Sequence, residues 1–353
     1  MPATLPRYDL TQTYQWNYDY APEPVECDVA DVPGDWSFCG LKTDSPLGMP
    51  AGPLLNGKWI LYYASLGFDV LTYKTVRSGH RECYALPNLL PVQIASADGQ
   101  LTGGEVHVPA AADMHGSWAV SFGMPSMEPD IWRADIEDTR DQLAQDKLLS
   151  VSVVGTVQPG WTTEDLAADY AQCARWAAES GADAIEMNFS CPNVSTCDGQ
   201  LYQQPTDAAV VASAVRQAIG SKPLIAKIGH VQNSDAAVAL LEAIESQVDA
   251  LAMTNSVAAT VQLESDESAF GGEKRGICGA ATRCASTTQA AMFADLIRER
   301  AASIRVIGVG GAGTTGDVRN YLAAGAECVH MATAPMVDPG VALRIRSQLA
   351  GAQ

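Results

Sequence analysis

Basic residues are scarce in this chain: 22 lysines and arginines stand against 41 acids, a formal net charge of -19. Phosphate backbones and anionic membrane surfaces are held by Lys/Arg patches, so the deficit argues against nucleic acid and against a membrane surface as partners. Metal-ligand spacing is missing as well. The five histidines (80, 107, 115, 230 and 330) form no H-x-x-x-H pair and the nine cysteines contain no C-x-x-C; Cys191 and Cys197 lie six apart, as do Cys278 and Cys284. No metal site, iron–sulfur cluster or disulfide framework is expected, and reduced thiols in a cytoplasmic protein are the economical reading. No apolar run approaches a membrane span, and residues 1–19 are polar, aromatic and punctuated by proline, without the apolar core of a signal peptide.

Apolar residues are plentiful, 47% of 353, enough for a large core. Residues 1–45 carry Tyr14, Trp16, Tyr18, Tyr20, Pro22 and Pro24 without a sustained period, which reads as an irregular arm packed on the body by its aromatics. From 46 to 353 short apolar runs alternate with amphipathic stretches. The runs at 49–52, 68–74, 148–154, 184–188, 224–228, 250–255, 305–308 and 328–331 read as strands. Helices are expected at 58–66, 163–179, 207–219, 234–245, 287–300, 315–324 and 341–349. Residues 75–145 interrupt the alternation with glycine, proline and the runs Val92-Gln93-Ile94 and Val106-His107-Val108, the mark of a hairpin-bearing insertion. Eight consecutive β/α units with no antiparallel signal between them predict an α/β fold: a (β/α)8 TIM barrel with an N-terminal arm and an insertion over the C-terminal face of the barrel.

In such a barrel the strand C-terminal ends carry the chemistry. The polar residues at those ends are Lys74, Asn188, Lys227, Asn255, Gly310 with Gly311, and Thr333. The densest stretch is Ile185-Glu186-Met187-Asn188-Phe189-Ser190-Cys191-Pro192-Asn193, where a strand hands an amide, a hydroxyl and a titratable thiol to a proline-forced turn. Two amides suit a planar ligand whose edges alternate C=O and N–H, with Cys191 beside them for proton transfer. A strand followed by a turn with a small buried cysteine fits the same residues equally well. Lys74 and Lys227 each close an apolar run, where a cation is costly to bury without an anionic or carbonyl-rich partner; a lysine that snorkels to the surface is the plain alternative. Gly308-Val309-Gly310-Gly311-Ala312-Gly313 has the letters of a dinucleotide fingerprint, but the next strand ends in Ala332-Thr333 and lacks the acid that would hold a ribose. It reads as a phosphate cradle of backbone N–H groups from Gly310, Gly311, Ala332 and Thr333, or as glycines that only make tight turns.

Tyr73-Lys74-Thr75, the run from Glu186 to Asn193, Ala226-Lys227, Thr254-Asn255-Ser256-Val257, Gly276-Ile277-Cys278-Gly279-Ala280, Gly308-Val309-Gly310-Gly311 and Ala332-Thr333-Ala334 come in a telling order and spacing. From about residue 45 to 350 the chain resembles the dihydroorotate dehydrogenase family: its cytosolic, cysteine-base members and the pyrimidine domain of dihydropyrimidine dehydrogenase. The resemblance implies FMN, held by Ala51, Gly52, Lys74, Thr75, Asn188, Lys227, Asn255, Cys278, Gly279, Gly310, Gly311, Ala332 and Thr333. It implies a substrate held by Lys74, Asn188, Asn193, Asn255 and Ser256, and makes Cys191 the general base that takes a carbon-bound proton as hydride leaves the neighbouring carbon for flavin N5. Two positions depart from the family pattern. Val120-Ser121-Phe122-Gly123-Met124-Pro125-Ser126 stands where cytosolic members usually carry Asn-Ser-Met-Gly-Leu-Pro-Asn, so Val120 replaces a substrate amide, and Cys278 replaces a usual Gly or Ser.

The expected reaction is oxidation of dihydroorotate to orotate, or its reverse, with a soluble electron acceptor such as fumarate and a homodimer implied by the resemblance. Two other readings use the same residues. One is a related flavoenzyme acting on another dihydropyrimidine or a specialised-metabolite ring; the other, of a different class, is a non-redox phosphate-binding barrel working as a lyase or isomerase.

Overall fold

The computed structural model describes residues 5–94, 101, 107–114, 116–190, 200–231, 233–265 and 267–351. The arm holds a short helix, α1 (Tyr14–Asp19), and a hairpin of β1 (Trp36–Phe38) and β2 (Leu41–Thr43). It is therefore less irregular than its sequence suggests: Thr13 caps α1 by accepting the Trp16 N–H, a local signal that a six-residue helix is too short to display as periodicity. The alternation then runs β3 (Leu47–Met49), α2 (Gly57–Ser65) and β4 (Val70–Val76), and β5 (Leu89–Pro91), β6 (His107–Pro109) and β7 (Ser117–Val120) intervene before α3 (Pro129–Gln142). It resumes with β8 (Leu148–Val153), α4 (Thr163–Glu179), β9 (Ala184–Asn188), α5 (Pro205–Ile219), β10 (Leu224–Lys227), α6 (Ser234–Ile244) and β11 (Ala250–Met253). After β12 (Val257–Gln262) and β13 (Arg275–Gly279) come α7 (Arg283–Glu299), β14 (Arg305–Val309), α8 (Thr315–Ala323), β15 (Ala326–His330), α9 (Thr333–Val337) and α10 (Val341–Ala350).

β3, β4, β8, β9, β10, β11, β14 and β15 pair in parallel, each with the next, and β15 returns to β3. The expected (β/α)8 barrel is the fold. Its strands are buried on both faces, which is why β4, β8 and β9 are mostly apolar and bury even their polar residues, among them Thr72, Ser150, Ser152 and Glu186. The helices lay one stripe on them. In α4 the side chains of Leu166, Tyr170, Cys173, Ala174 and Ala177 fall at helical spacing on the buried face, and Thr162 with Asp165 forms a capping box at its start. Inside the barrel Val70, Leu148, Ala184, Ile225, Ile307 and Cys328 form an apolar layer closed by Phe38 of the β1/β2 hairpin.

Beyond the C-terminal ends of β4 and β11 the chain builds a second sheet in the order β5-β7-β13-β12-β6. Its pairs are antiparallel except β12 with β6. It has a core of its own, in which Val92, Val108, Ala119, Val257, Ala259, Val261 and Ile277 meet. This cap corrects the expectation that no antiparallel pairing interrupts the alternation: β12 and β13 fall in a stretch read without strands. Runs of five and six residues containing Ala258-Ala259-Thr260 or Gly276 carry little period-2 signal, and besides each other their partners are β6 and β7, about 150–160 residues earlier in the chain. The stretch 75–145 also contains α3, which packs against α2 as the barrel's second helix. Among the described residues no helix is long and apolar enough to cross a membrane.

Candidate active site

One cavity opens between the barrel's C-terminal rim and the cap sheet, about 1040 Å³ counting its open mouth. Ala51 and Gly52 follow β3, Lys74 and Thr75 lie on β4, Asn188 ends β9, Lys227 ends β10, and Asn255 with Ser256 leads from β11 into β12; all face this cavity. So do Cys278 and Gly279 at the end of β13, Gly310 and Gly311 after β14, and Ala332 and Thr333 after β15. Cys191 and Asn193 lie outside the described residues.

Neither lysine snorkels. Lys227 Nζ meets Glu186 Oε1 at 2.7 Å with both side chains buried, so each charge compensates the other's desolvation. Lys74 is 8% exposed, and its ammonium stands 5.4 Å from the centre of the Phe122 ring. Asn188 is held by a small polar network: its Oδ1 accepts the Ser190 N–H at 3.2 Å, its Nδ2 points to Thr75 Oγ1 at 3.5 Å, and Thr75 Oγ1 donates to Ser152 Oγ at 3.0 Å. Asn255 Nδ2 donates to the carbonyl of Ser190. The two amides thus pin the backbone on which residue 191 follows. His330, on the inner face of β15, is fully buried and stacks on Phe38 at 5.8 Å. Burial first, and then the Lys227 charge, push its pKa down to about 3, so it is neutral near pH 7.

At the other end, glycines from three elements crowd together. Gly279 has φ +94°, and a Cβ there would lie 2.2 Å from the Gly116 carbonyl oxygen. A Cβ on Gly311, with φ +72°, would lie 2.6 Å from the carbonyl oxygen of Gly279. Only glycine fits both backbone approaches. Tyr321 Oη donates to the Gly310 carbonyl at 2.6 Å and Thr282 Oγ1 to that of Gly279 at 2.9 Å, which fixes the orientation of both peptides. A bare, oriented backbone of this kind is suited to an anion.

The barrel side of the cavity was readable from strand ends; on the cap side the family pattern singled out Val120, Cys278 and Gly279, and the rest of the wall went unread. Trp118 and Val120 on β7, with Leu89, Phe122 and Met124, supply an apolar wall facing the amides and lysines. The alternation of Trp118 and Val120 around Ala119, which enters the cap core, is the signal that could have shown it. Glu186 was legible as a lone charge within an apolar strand, though the reading assigned it no role.

The profile of the dihydroorotate dehydrogenase family matches residues 104–352. The chain is similar to the dihydroorotate dehydrogenase of Dictyostelium discoideum, 30% identical over 363 aligned residues that cover 97% of each chain. It is 31% identical over 179 residues to the dihydroorotate dehydrogenase B (NAD(+)) catalytic subunit of Maridesulfovibrio salexigens, covering 49% of this chain and 55% of that one. A crystal structure of DHODH in complex with ferulenol from Eimeria tenella shares the fold, with a TM-score of 0.74 at 18% identity over 95% of this chain and 88% of the other.

Proposed function

Because this chain belongs to the dihydroorotate dehydrogenase family and is therefore an oxidoreductase acting on CH–CH bonds, we propose that it oxidises dihydroorotate to orotate with FMN as its bound flavin. The observation that carries the proposal is that a polar strand-end cluster and a glycine cradle share one cavity. The fit to FMN rests on the cradle. Side-chain-free backbone at 279 and 311 suits a phosphate group, and no acid ends β15 to hold the ribose of a dinucleotide. Bound FMN would supply the hydride acceptor.

The chain's own residues do the rest. Gly279, Gly310, Gly311, Ala332 and Thr333 hold the phosphate through backbone N–H groups, and Ala51, Gly52, Thr75 and Cys278 complete the walls around the flavin. Lys227, anchored by Glu186, and Lys74 present positive charge to electron-rich ring and carboxylate oxygens. Asn188, Asn255 and Ser256 orient the substrate ring, with Asn193 beside them. The apolar wall of Trp118, Val120 and Phe122 excludes water from the reacting carbons. Cys191, next after Ser190, takes the proton from carbon; a thiol drawn toward its thiolate is a competent base for a weakly acidic C–H.

The arm and the cap close the cavity as one lid, a soluble acceptor such as fumarate reoxidises the enzyme in the cytoplasm, and the working form is a homodimer. The decisive experiment uses protein as purified. Denaturation should release FMN and no FAD, dihydroorotate should bleach the flavin under argon, and fumarate should restore its colour. FAD in the supernatant, or a flavin that dihydroorotate leaves oxidised, overturns the reading; reoxidation by NAD+ in place of fumarate overturns the acceptor alone.

A further inference from the structure

We propose that Phe122 is a positioning residue for Lys74, and that the N-terminal arm holds Phe122 in place, so that the active site is completed from outside the barrel. Lys74 is a long, flexible side chain in a desolvated position, and its ammonium lies over the ring of Phe122, 5.4 Å from the centroid. A cation over an aromatic face is attracted by the ring quadrupole, most strongly where water is excluded. The ring is itself clamped. Tyr8 meets it edge-on at 6.1 Å and 88°, and Tyr14 at 6.0 Å and 69°, both buried. Behind it the backbone is pinned: the Phe122 carbonyl accepts the Tyr84 N–H at 3.1 Å, and Asn88 accepts from the Ser121 N–H while donating to the Ser121 carbonyl.

The tyrosines belong to an arm segment that is tied down independently of the site. Tyr62 Oη donates to the Pro6 carbonyl at 2.6 Å, Trp59 Nε1 to that of Asn17 at 2.9 Å, and Asn56 Nδ2 to that of Tyr18 at 2.8 Å. Asn17 folds the segment on itself, accepting the Asp9 N–H and donating to the carbonyls of Asp9 and Thr13. The order of support is therefore α2, the arm, Phe122 and last Lys74, and a residue on β4 depends for its aim on chain that comes before the barrel begins.

The inference rests on the proposed function in using orotate as its probe. Orotate dissociation constants, read from the flavin absorbance of the holoenzyme, should rise about 3- to 30-fold for Phe122→Leu, and Phe122→Tyr should recover most of that loss. In a Lys74→Met background Phe122→Leu should add less than about twofold, because the group it aims is gone. Tyr8→Leu with Tyr14→Leu should weaken orotate binding in the Lys74 protein and leave Lys74→Met unchanged. A cost of Phe122→Leu as large without Lys74 as with it, or no recovery with Phe122→Tyr, overturns the proposal; should Lys74→Met bind no orotate, the aromatic recovery decides alone. A wild-type protein that carries no flavin or ignores orotate overturns the functional reading and this inference together, an outcome distinct from a holoenzyme that binds orotate but shows no coupling.

Discussion

At the scale of single residues, burial beside Lys227 keeps His330 uncharged. His330 has the ordinary histidine value of 6.5 in the unfolded chain and about 3 when buried beside Lys227. Between those values the unfolded chain binds a proton that the folded one refuses, so stability falls as pH drops from 6.5 toward 3. Thermal unfolding from pH 7 to 4.5 should show this slope, and His330→Gln, which has nothing to protonate, should flatten it; equal slopes would remove His330 as its source. Cys191 makes the second residue-scale prediction. If it is the base, Cys191→Ala should keep fold and flavin while slowing flavin reduction by dihydroorotate about 10²- to 10⁴-fold in stopped flow. Near-wild-type reduction would take Cys191 out of the mechanism and turn attention to Ser190.

At the scale of elements, three successive turns make the proposed phosphate end of the cavity: the exits of β13, β14 and β15. Each turn is set by something outside itself. The Gly279 peptide is fitted against Gly116 just before β7, and Gly310 is held by Tyr321 from α8. Gly279→Ala would drive a methyl into backbone, which cannot swing aside as a side-chain end can. The variant should retain the far-ultraviolet spectrum of the barrel and lose flavin affinity about 10- to 100-fold, the cost of one or two misdirected charge-assisted hydrogen bonds. Wild-type flavin retention in Gly279→Ala would show that the β13 exit takes no part in holding it.

At the scale of the molecule, the arm, the cap and the barrel act as a stack of layers. The β1/β2 hairpin seals the barrel floor through Phe38, while the earlier arm reaches the opposite rim through Tyr8 and Tyr14. One N-terminal segment thereby touches both ends of the barrel. If arm and cap close the cavity together, hydrogen exchange should slow in residues 5–20 and in β7 and β13 when orotate binds, with the barrel helices unchanged. Protection confined to the barrel strands would separate the arm from the ligand.

The residues by themselves determined the barrel and which side chains stand at its rim, because parallel strands buried on both faces read as mostly apolar runs and each run has a polar residue near its end. Lys74, Asn188, Lys227 and Asn255 are placed in that way, and the missing acid after 328–331 argues against a dinucleotide. Only the tertiary structure decided what faces them. Glu186 beside Lys227, Phe122 beneath Lys74 and Gly116 against Gly279 are contacts between residues 41, 48 and 163 positions apart. Such pairings depend on how loops close and strands cross, which no local period records. Strands of three to six residues with alanines and glycines bury too little surface alone to announce themselves, and they become a sheet only when the cap assembles its shared core.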